Sequence, residues 1–348
     1  MTPPLETTMR LSEIGEEALI ERIIQENLLP KSGPGIVVGV GDDAAVLDLG
    51  AASGALTVVT TDILIEGTHF RLDLITPYEL GWKSVAVNIS DIAAMGGTPT
   101  WTFAAIGFKP DTDVSFVDLL YLGMNECANR FGSMLIGGDT SAVEASSVIS
   151  VCQIGQVEPG FLAVRSGARI GDRILVTGWL GNSRGGLELL LRFGLEEAAR
   201  LSGWLVSAHF MPMPRVPEAR AAVETGAVHA MMDISDGLGA DLPKLCKASG
   251  VGALIHADKL PVSGDLRSTA GMLGINATDL AAGGGEDFEL LMTVSPEGVG
   301  KVVEAIEEHT GTRVTEIGEV AKGLVEIVYP DGARKPLKGG WEHFARME

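Results

Sequence analysis

Cysteine is scarce in this chain of 348 residues: Cys127, Cys152 and Cys246 are the only three. They share no short spacing, so a CxxC metal or redox motif is excluded, and an odd count does not suit a disulfide framework. Buried thiols in a reducing compartment are the plain reading. Aromatic residues make up only 5%, and 26 Lys and Arg face 46 Asp and Glu, a net charge of −20. A nucleic-acid binder needs basic surface for phosphates and aromatics for stacking, and a protein docked on anionic lipid needs basic patches. Neither is present. Long hydrophobic runs are also missing. The longest uncharged stretch, Ile92 to Phe108, contains Gly96, Gly97 and Pro99 and is too short for a bilayer span. The opening MTPPLETTMRLSEIGEE lacks the basic and apolar regions of a secretory signal. The expectation is a cytoplasmic protein with no nucleic-acid or membrane partner.

What is abundant is glycine, 45 residues, about twice the usual share, and apolar residues at 46%, ample for a core. The length suggests two domains. An apolar stripe at Ile14, Leu19, Ile20, Ile23, Ile24 and Leu28 predicts a helix over 13–28. Strands are predicted at 35–40, running into Gly41-Asp42-Asp43, and at 56–61, ending at Asp62. Pro77 opens a helix that Gly96-Gly97 stops near Met95. A helix at 114–131, a strand at 134–136 leading into the turn Gly137-Gly138-Asp139-Thr140, and a strand at 148–154 complete one half. The pattern resets around 156–172, which divides the chain into 1–155 and 156–348. The second half reads as a strand at 174–177, a helix at 185–193, a strand at 230–234, a helix from near Asp236, a strand at 290–294, a helix at 297–308 and strands at 314–320 and 325–329. Both halves are α/β, of the α+β type.

The acids are not evenly spread. Asp42, Asp43, Asp62, Asp139, Asp233 and Asp236 are predicted at strand ends or glycine-flanked turns, where α/β proteins collect ligand-binding residues. Asp91 lies on an otherwise apolar helix, where a charge is costly unless it meets a partner. Singly each has an ordinary explanation: Asp236 as a helix cap, Asp139 in a turn, Asp42 solvated. As a set they imply a cation, because two carboxylates ~5 Å apart repel by ~3 kcal/mol at an effective dielectric of 20. Aspartates without His or Cys beside them suit Mg²⁺, which bridges carboxylates to phosphates.

Two short motifs mislead. Gly39-Val-Gly41-Asp-Asp-Ala44 matches GxGxxA after a strand, yet its two aspartates would repel a bare pyrophosphate. Gly285-Glu-Asp-Phe288 contains Asp-Phe but lacks the glycine of a protein-kinase DFG. There is no Walker A sequence and no HRD loop.

Longer segments are more specific. Gly39 to Val46, Thr60 to Phe70, Lys83 to Gly96, Gly137-Gly-Asp-Thr140, Arg165-Ser-Gly-Ala168, His209 through Pro214-Arg215, Asp233-Ile-Ser-Asp-Gly237, Gly284 to Leu290 and Gly340-Trp-Glu-His-Phe344 occur in order along nearly the whole chain. In these the chain resembles the thiamine-phosphate kinase family, within the superfamily of aminoimidazole ribonucleotide synthetase, selenophosphate synthetase and the hydrogenase-maturation ATPase. The resemblance implies a phosphotransferase with a phosphate acceptor, moving the γ-phosphoryl of ATP onto thiamine monophosphate. It implies two α/β domains, the N-terminal ones pairing in a homodimer whose sheets form a barrel, and ATP held through several Mg²⁺ ions. The matched metal positions are Asp43, Thr60, Thr61, Asp62, Asp91, Asp139, Asp233 and Asp236, with Asp91, Asp139 and Asp236 central to catalysis. Gly138, Asp139, Arg165 and Ser235 are the nucleotide positions. His69, Glu286 and Trp341 face thiamine monophosphate.

The chemistry is consistent with those roles. A phosphate nucleophile is already ionised, so no general base is needed, and the difficulty is bringing two polyanions together. Arg165 offers a fixed positive fork, and a thiazolium cation suits an aromatic and an acid. His69 could instead be a polar residue packed at a strand end, and Trp341 an anchor for the C-terminus. Glu66-Gly-Thr-His69 departs from the family, where Val often precedes the His, and Gly283-Gly-Gly285 carries one glycine more. Other superfamily phosphoryl-transfer enzymes and a non-catalytic nucleotide- or metal-binding homologue are the rivals. Among the first, selenophosphate synthetases carry a reactive Cys or selenocysteine near the N-terminus and the hydrogenase-maturation member a Cys-bearing tail, whereas this chain has its first Cys at Cys127 and ends Ala345-Arg-Met-Glu348. The second would be expected to have lost aspartates.

Overall fold

The computed structural model describes residues 11–25 and 32–343. The end of the predicted first helix, including Leu28, and Phe344 lie outside the described residues. α1 (Leu11–Gln25) is followed by β1 (Ile36–Val38), β2 (Ala45–Leu47), β3 (Leu56–Ile65), α2 (Pro77–Ala94), β4 (Thr98–Phe108), α3 (Val114–Arg130), β5 (Met134–Ala142) and β6 (Val148–Val157). The six strands form one sheet in the order β1-β2-β3-β6-β4-β5. Only β4 and β5 run parallel; the other pairs are antiparallel. Among the described residues neither edge of this sheet is paired, and no barrel closes within one chain.

The second sheet takes β7 (Arg173–Thr177), β8 (Val228–Asp233), β9 (Gly252–His256), β10 (Leu290–Val294), β11 (Val314–Ala321), β12 (Val325–Val328) and β13 (Arg334–Pro336), in the order β13-β12-β9-β11-β7-β10-β8. Its helices are α4 (Asn182–Phe210), α5 (Val216–Glu224), α6 (Leu238–Ser249), α7 (Gly264–Leu273), α8 (Ala277–Gly283) and α9 (Val299–Thr310). The mixed α/β reading and its two sheets stand.

Several elements differ in extent from the sequence reading. β3 continues four residues beyond Thr61, because Ile63 to Ile65 pair with β6, and Asp62 is therefore inside a strand rather than at its end. β5 runs through Gly137, Gly138 and Asp139, which pair with β4 instead of turning. Glycines in a parallel edge strand look like a turn in one dimension. The helix predicted at 185–193 is the first part of α4, which is interrupted at Gly194 and Ser202. Those breaks scramble the helical period that would have revealed its length. The helix expected from near Asp236 starts at Leu238.

α2 joins the two halves. Thr76 and Glu79 form a reciprocal capping box at its start, with Pro77 in the first turn. Fourteen of its 18 residues are buried, the signature of a helix enclosed on all sides. It packs on α3, on β3 and β6 of the first sheet, and on α5 and β8 of the second half. Gly81 and Gly123 let α2 and α3 touch backbone to backbone: a Cβ at Gly81 would lie 2.0 Å from Leu120 O, and one at Gly123 2.0 Å from Tyr78 O.

Candidate active site

Because α2 is enclosed, every polar side chain it carries needs a partner inside. Ser90 Oγ donates to Asp233 Oδ2 at 2.6 Å. Thr60 Oγ1, on β3, donates to Asp91 Oδ2 at 2.6 Å. Asn88 Oδ1 accepts the backbone N–H of Asp62 at 3.0 Å, while its amide donates to Ser84 O. One turn or more upstream, the fully buried Lys83 ammonium pairs with Glu286 Oε1 at 2.8 Å. One helix thus ties β3 to the end of β8 and to the loop before β10.

Three carboxylates converge where these elements meet. One oxygen from each of Asp43, Asp91 and Asp233 lies within 4.8 Å of the other two. Burial pushes the Asp91 carboxyl well above the usual range, and the charges of Asp62, Asp233 and Asp43 add to it. Asp233 rises for the same reasons, burial first and then Asp43. Asp62 is pushed up to about 6 by burial and by Asp236, and Asp42 to about 6 by burial and Asp43. Five of the predicted metal positions, Asp43, Asp62, Asp91, Asp233 and Asp236, therefore share one electrostatic field, with Thr60 beside them.

The offsetting positive charge comes from two side chains. Arg165 Nη2 donates to Asp43 Oδ1 at 2.6 Å, and the Arg165 backbone N–H reaches both oxygens of Asp42 at 3.2 Å. Lys244 bridges Asp236 Oδ2 at 2.5 Å and the fully buried Asp241 at 2.9 Å. Even so, among the described residues Asp43 Oδ2 and Arg165 Nε are buried without a hydrogen-bond partner, the nearest carboxylate oxygen of Asp42 standing 4.0 Å from Nε. An unpaired acceptor beside an unpaired cationic donor is the arrangement a metal–phosphate ligand would complete. A donor set of carboxylates without His or Cys fits Mg²⁺.

The predicted substrate residues gather a short distance along α2. Glu286 sits between Lys83 and His209, whose Nδ1 is 3.3 Å from Glu286 Oε2. Despite burial, the Lys83 ammonium holds its carboxyl below the ordinary value. The His69 ring accepts the Ile65 N–H and lies 5.2 Å from the ring of His343, which in turn is 5.8 Å from Trp341. Trp341 is half-exposed and its backbone N–H bonds Asp236 O. Ser235 is two residues past the end of β8, its carbonyl accepting the Glu286 N–H. The three glycines 283–285 each face backbone: Gly283 meets Gly339, Gly284 meets Leu280 O and Gly285 meets Ser235 and Asp236.

Three predicted residues are not brought to this point. Thr61 lies on the opposite face of β3 from Thr60 and Asp62, its hydroxyl donating to Val151 O; the period of two along a strand was the available signal. Gly138 and Asp139 are exposed on the edge strand β5. The pairing row Asp62–Val151–Ala104–Gly138 puts three strand spacings, about 14 Å, between β3 and β5. Conversely, Lys83, Asn88 and Ser90 belong to the site but were not singled out. Their signal was polar residues on the same helix as Asp91.

Comparison with known proteins narrows the reading. Residues 41–157 match the AIR synthase related protein N-terminal domain, and 169–329 its C-terminal domain. The thiamine-monophosphate kinase of Aquifex aeolicus is 36% identical over 97% of this chain and 100% of its own. The chain belongs to the thiamine-monophosphate kinase family. That of Synechococcus elongatus is 35% identical over 96% of this chain and 98% of its own. Among solved structures, a kinase of this family, AaThiL complexed with AMPPCP and TMP, superposes with TM-score 0.82 at 35% identity, covering 97% of this chain and all of that one. The two matched ranges contain Asp43, Asp91 and Asp233 and all strands except β1 and β13. Among the described residues no helix is long and apolar enough to cross a membrane.

Proposed function

We propose that this chain transfers the γ-phosphoryl group of ATP directly to the phosphate of thiamine monophosphate, giving thiamine diphosphate and ADP. The observation that carries the reading is the meeting of Asp43, Asp91 and Asp233 around the unpartnered Asp43 Oδ2 and Arg165 Nε. Full-length kinship with thiamine-monophosphate kinases, one of them solved with AMPPCP and TMP, supports the substrate pair.

Asp43, Asp91 and Asp233 would hold Mg²⁺, with Thr60, Asp62 and Asp236 around them. When bound, Mg²⁺ neutralises charge on the transferring phosphoryl group. Arg165 keeps a fixed guanidinium against the phosphates, and Ser235 lines the same loop. Lys83, His209 and Ser90 orient acids rather than exchange protons with substrate. No residue need act as general base, since the attacking phosphate oxygen is ionised. His69, Glu286 and Trp341 take the thiamine moiety, an acid and an aromatic for a cationic, flat ligand.

Residues 1–155 form the nucleotide-binding and dimerisation half and 156–348 the half that completes the site. The homodimer forms along β5, where Met134 is 60% and Ile136 51% exposed on an unpaired strand edge. Gly138 and Asp139 lie on that edge, so any part they take in nucleotide binding is exercised at the interface. The cell compartment is the cytoplasm.

The test is ADP formation by purified protein with Mg²⁺, run against thiamine, thiamine monophosphate and aminoimidazole precursors in parallel. Turnover that requires thiamine monophosphate and Mg²⁺ is expected. ATP hydrolysis at the same rate with or without that acceptor overturns the assignment.

A further inference from the structure

The segment from His209 to Arg215 reaches one short loop from both of its ends, His209 at Glu286 and Arg215 at Glu289, while His209 also meets Ser183 and Arg215 also meets Glu218. That loop, Glu286 to Glu289, has an unusual backbone. Glu286 and Phe288 have φ of 64° and 50°, the left-handed region that side chains other than glycine seldom adopt. Alternating with them, Asp287 accepts the N–H groups of Gly181 and Ser183 at the start of α4. The loop stays laddered to the end of β8, through Glu286 N–H to Ser235 O and Phe288 N–H to Ile234 O. The consequence is that neighbouring carboxylates diverge: Asp287 caps α4 while Glu286 points at Lys83 and His209.

Strain of this kind persists only where its surroundings overdetermine it. Two attachments supply that here. At one end His209, its Nδ1 hydrogen-bonded to Ser183 Oγ at 3.0 Å, packs the same nitrogen 3.3 Å from Glu286 Oε2. At the other the guanidinium of Arg215 grips Glu289 with both arms, Nε to Oε2 at 2.7 Å and Nη2 to Oε1 at 2.6 Å. Thr177 Oγ1 adds a third bond to the same carboxylate, and Gly178 leaves room for it, since a Cβ there would fall 2.0 Å from Glu289 Oε1. Between the two attachments, Trp82 Nε1 donates to Pro212 O at 2.9 Å. This fastens the segment to α2 one residue before Lys83.

We infer that Arg215 is a positioning residue for the acceptor substrate. Its forked pair with Glu289, with His209 on Glu286, holds residues 286–288 in their strained backbone and so aims the Glu286 carboxylate at the acceptor. The inference rests on the proposed placement of Glu286 at thiamine monophosphate. It requires no contact between Arg215 and any ligand.

The experiment is a double-variant cycle between two residues that do not touch. Arg215→Met is expected to raise KM for thiamine monophosphate by on the order of tenfold to hundredfold, as misplacement of a binding group by about 1 Å does, with KM for ATP little changed. In the Glu286→Gln background the same substitution is expected to add nothing to that KM. Arg215→Lys, which keeps the charge but loses the fork, falls between. Should Arg215→Met fold poorly because Glu289 is left buried without a counter-charge, Arg215→Met with Glu289→Leu removes both charges and is expected to show the same KM pattern. An equal rise in KM with and without Glu286, or a rise for ATP as large as for the acceptor, overturns the inference. Wild-type protein that does not use thiamine monophosphate overturns the proposed function instead, so the two failures are distinct.

Discussion

Arg165 holds one oxygen of Asp43 at 2.6 Å and leaves the other, Oδ2, buried with no hydrogen-bond partner among the described residues. The two residues are 122 positions apart, one before β2 in the first half and one on the connection into the second. Their pair places a guanidinium arm and a free carboxylate oxygen side by side, beside Asp91 and Asp233. A site of this composition is electrostatically unfinished in the bare protein, and the following outcomes are expected from it.

Removing one of the three converging charges relieves repulsion that Arg165 offsets only in part. Asp233→Asn keeps an acceptor for Ser90 Oγ but loses the charge. Turnover is expected to be abolished. The melting temperature without divalent metal rises by a few degrees, since each close pair repels by about 3 kcal/mol at an effective dielectric of 20. The stabilisation by added Mg²⁺ shrinks. Thermal melts with and without Mg²⁺, alongside ADP formation, check all three.

His209 gives the fold an acid-side weakness. Burial lowers its pKa to about 3 from 6.5, with Lys83 adding to the shift. Between those values the unfolded chain binds a proton that the folded imidazole refuses, so stability falls as pH drops from about 6.5 towards 3. His209→Gln removes this contribution. Its denaturation midpoint is expected to depend less steeply on pH than wild type over that window, measured by urea titration at several pH values.

Lys83 is 1% exposed and, among the described residues, its ion-pair partner is Glu286, 30% exposed. Lys83→Met leaves a largely enclosed carboxylate without its cation, at a cost of about 3 kcal/mol, the lower end for a broken buried pair because Glu286 retains some solvent. Adding Glu286→Leu is expected to restore most of that stability without restoring acceptor binding. Chemical denaturation separates the two effects from KM.

The edge of β5 is exposed and apolar at Met134 and Ile136. Ile136→Lys places a charge on that edge, the usual device against strand-to-strand association. It is expected to shift the protein from dimer to monomer in light scattering and to lower turnover, with the melting curve of the monomer still cooperative.

The motif aspartates, the capped start of α2 at Pro77 and the alternation of strands and helices were all readable from residue order, because each is a local pattern or a short matched string. Tertiary structure alone decided which acids meet. Thr60, Thr61 and Asp62 are consecutive, yet the pleat of β3 sends Thr61 to the other face. Asp139 reads like Asp43 in its glycine-flanked setting, yet pairing of β5 with β4 leaves it on an open edge. Lys83, Asn88 and Ser90 became site residues only because α2 is enclosed between two sheets, where a polar group must find its partner across the chain rather than along it. Residue order supplied the charges; packing set the distances between them, and Coulomb energy depends on both.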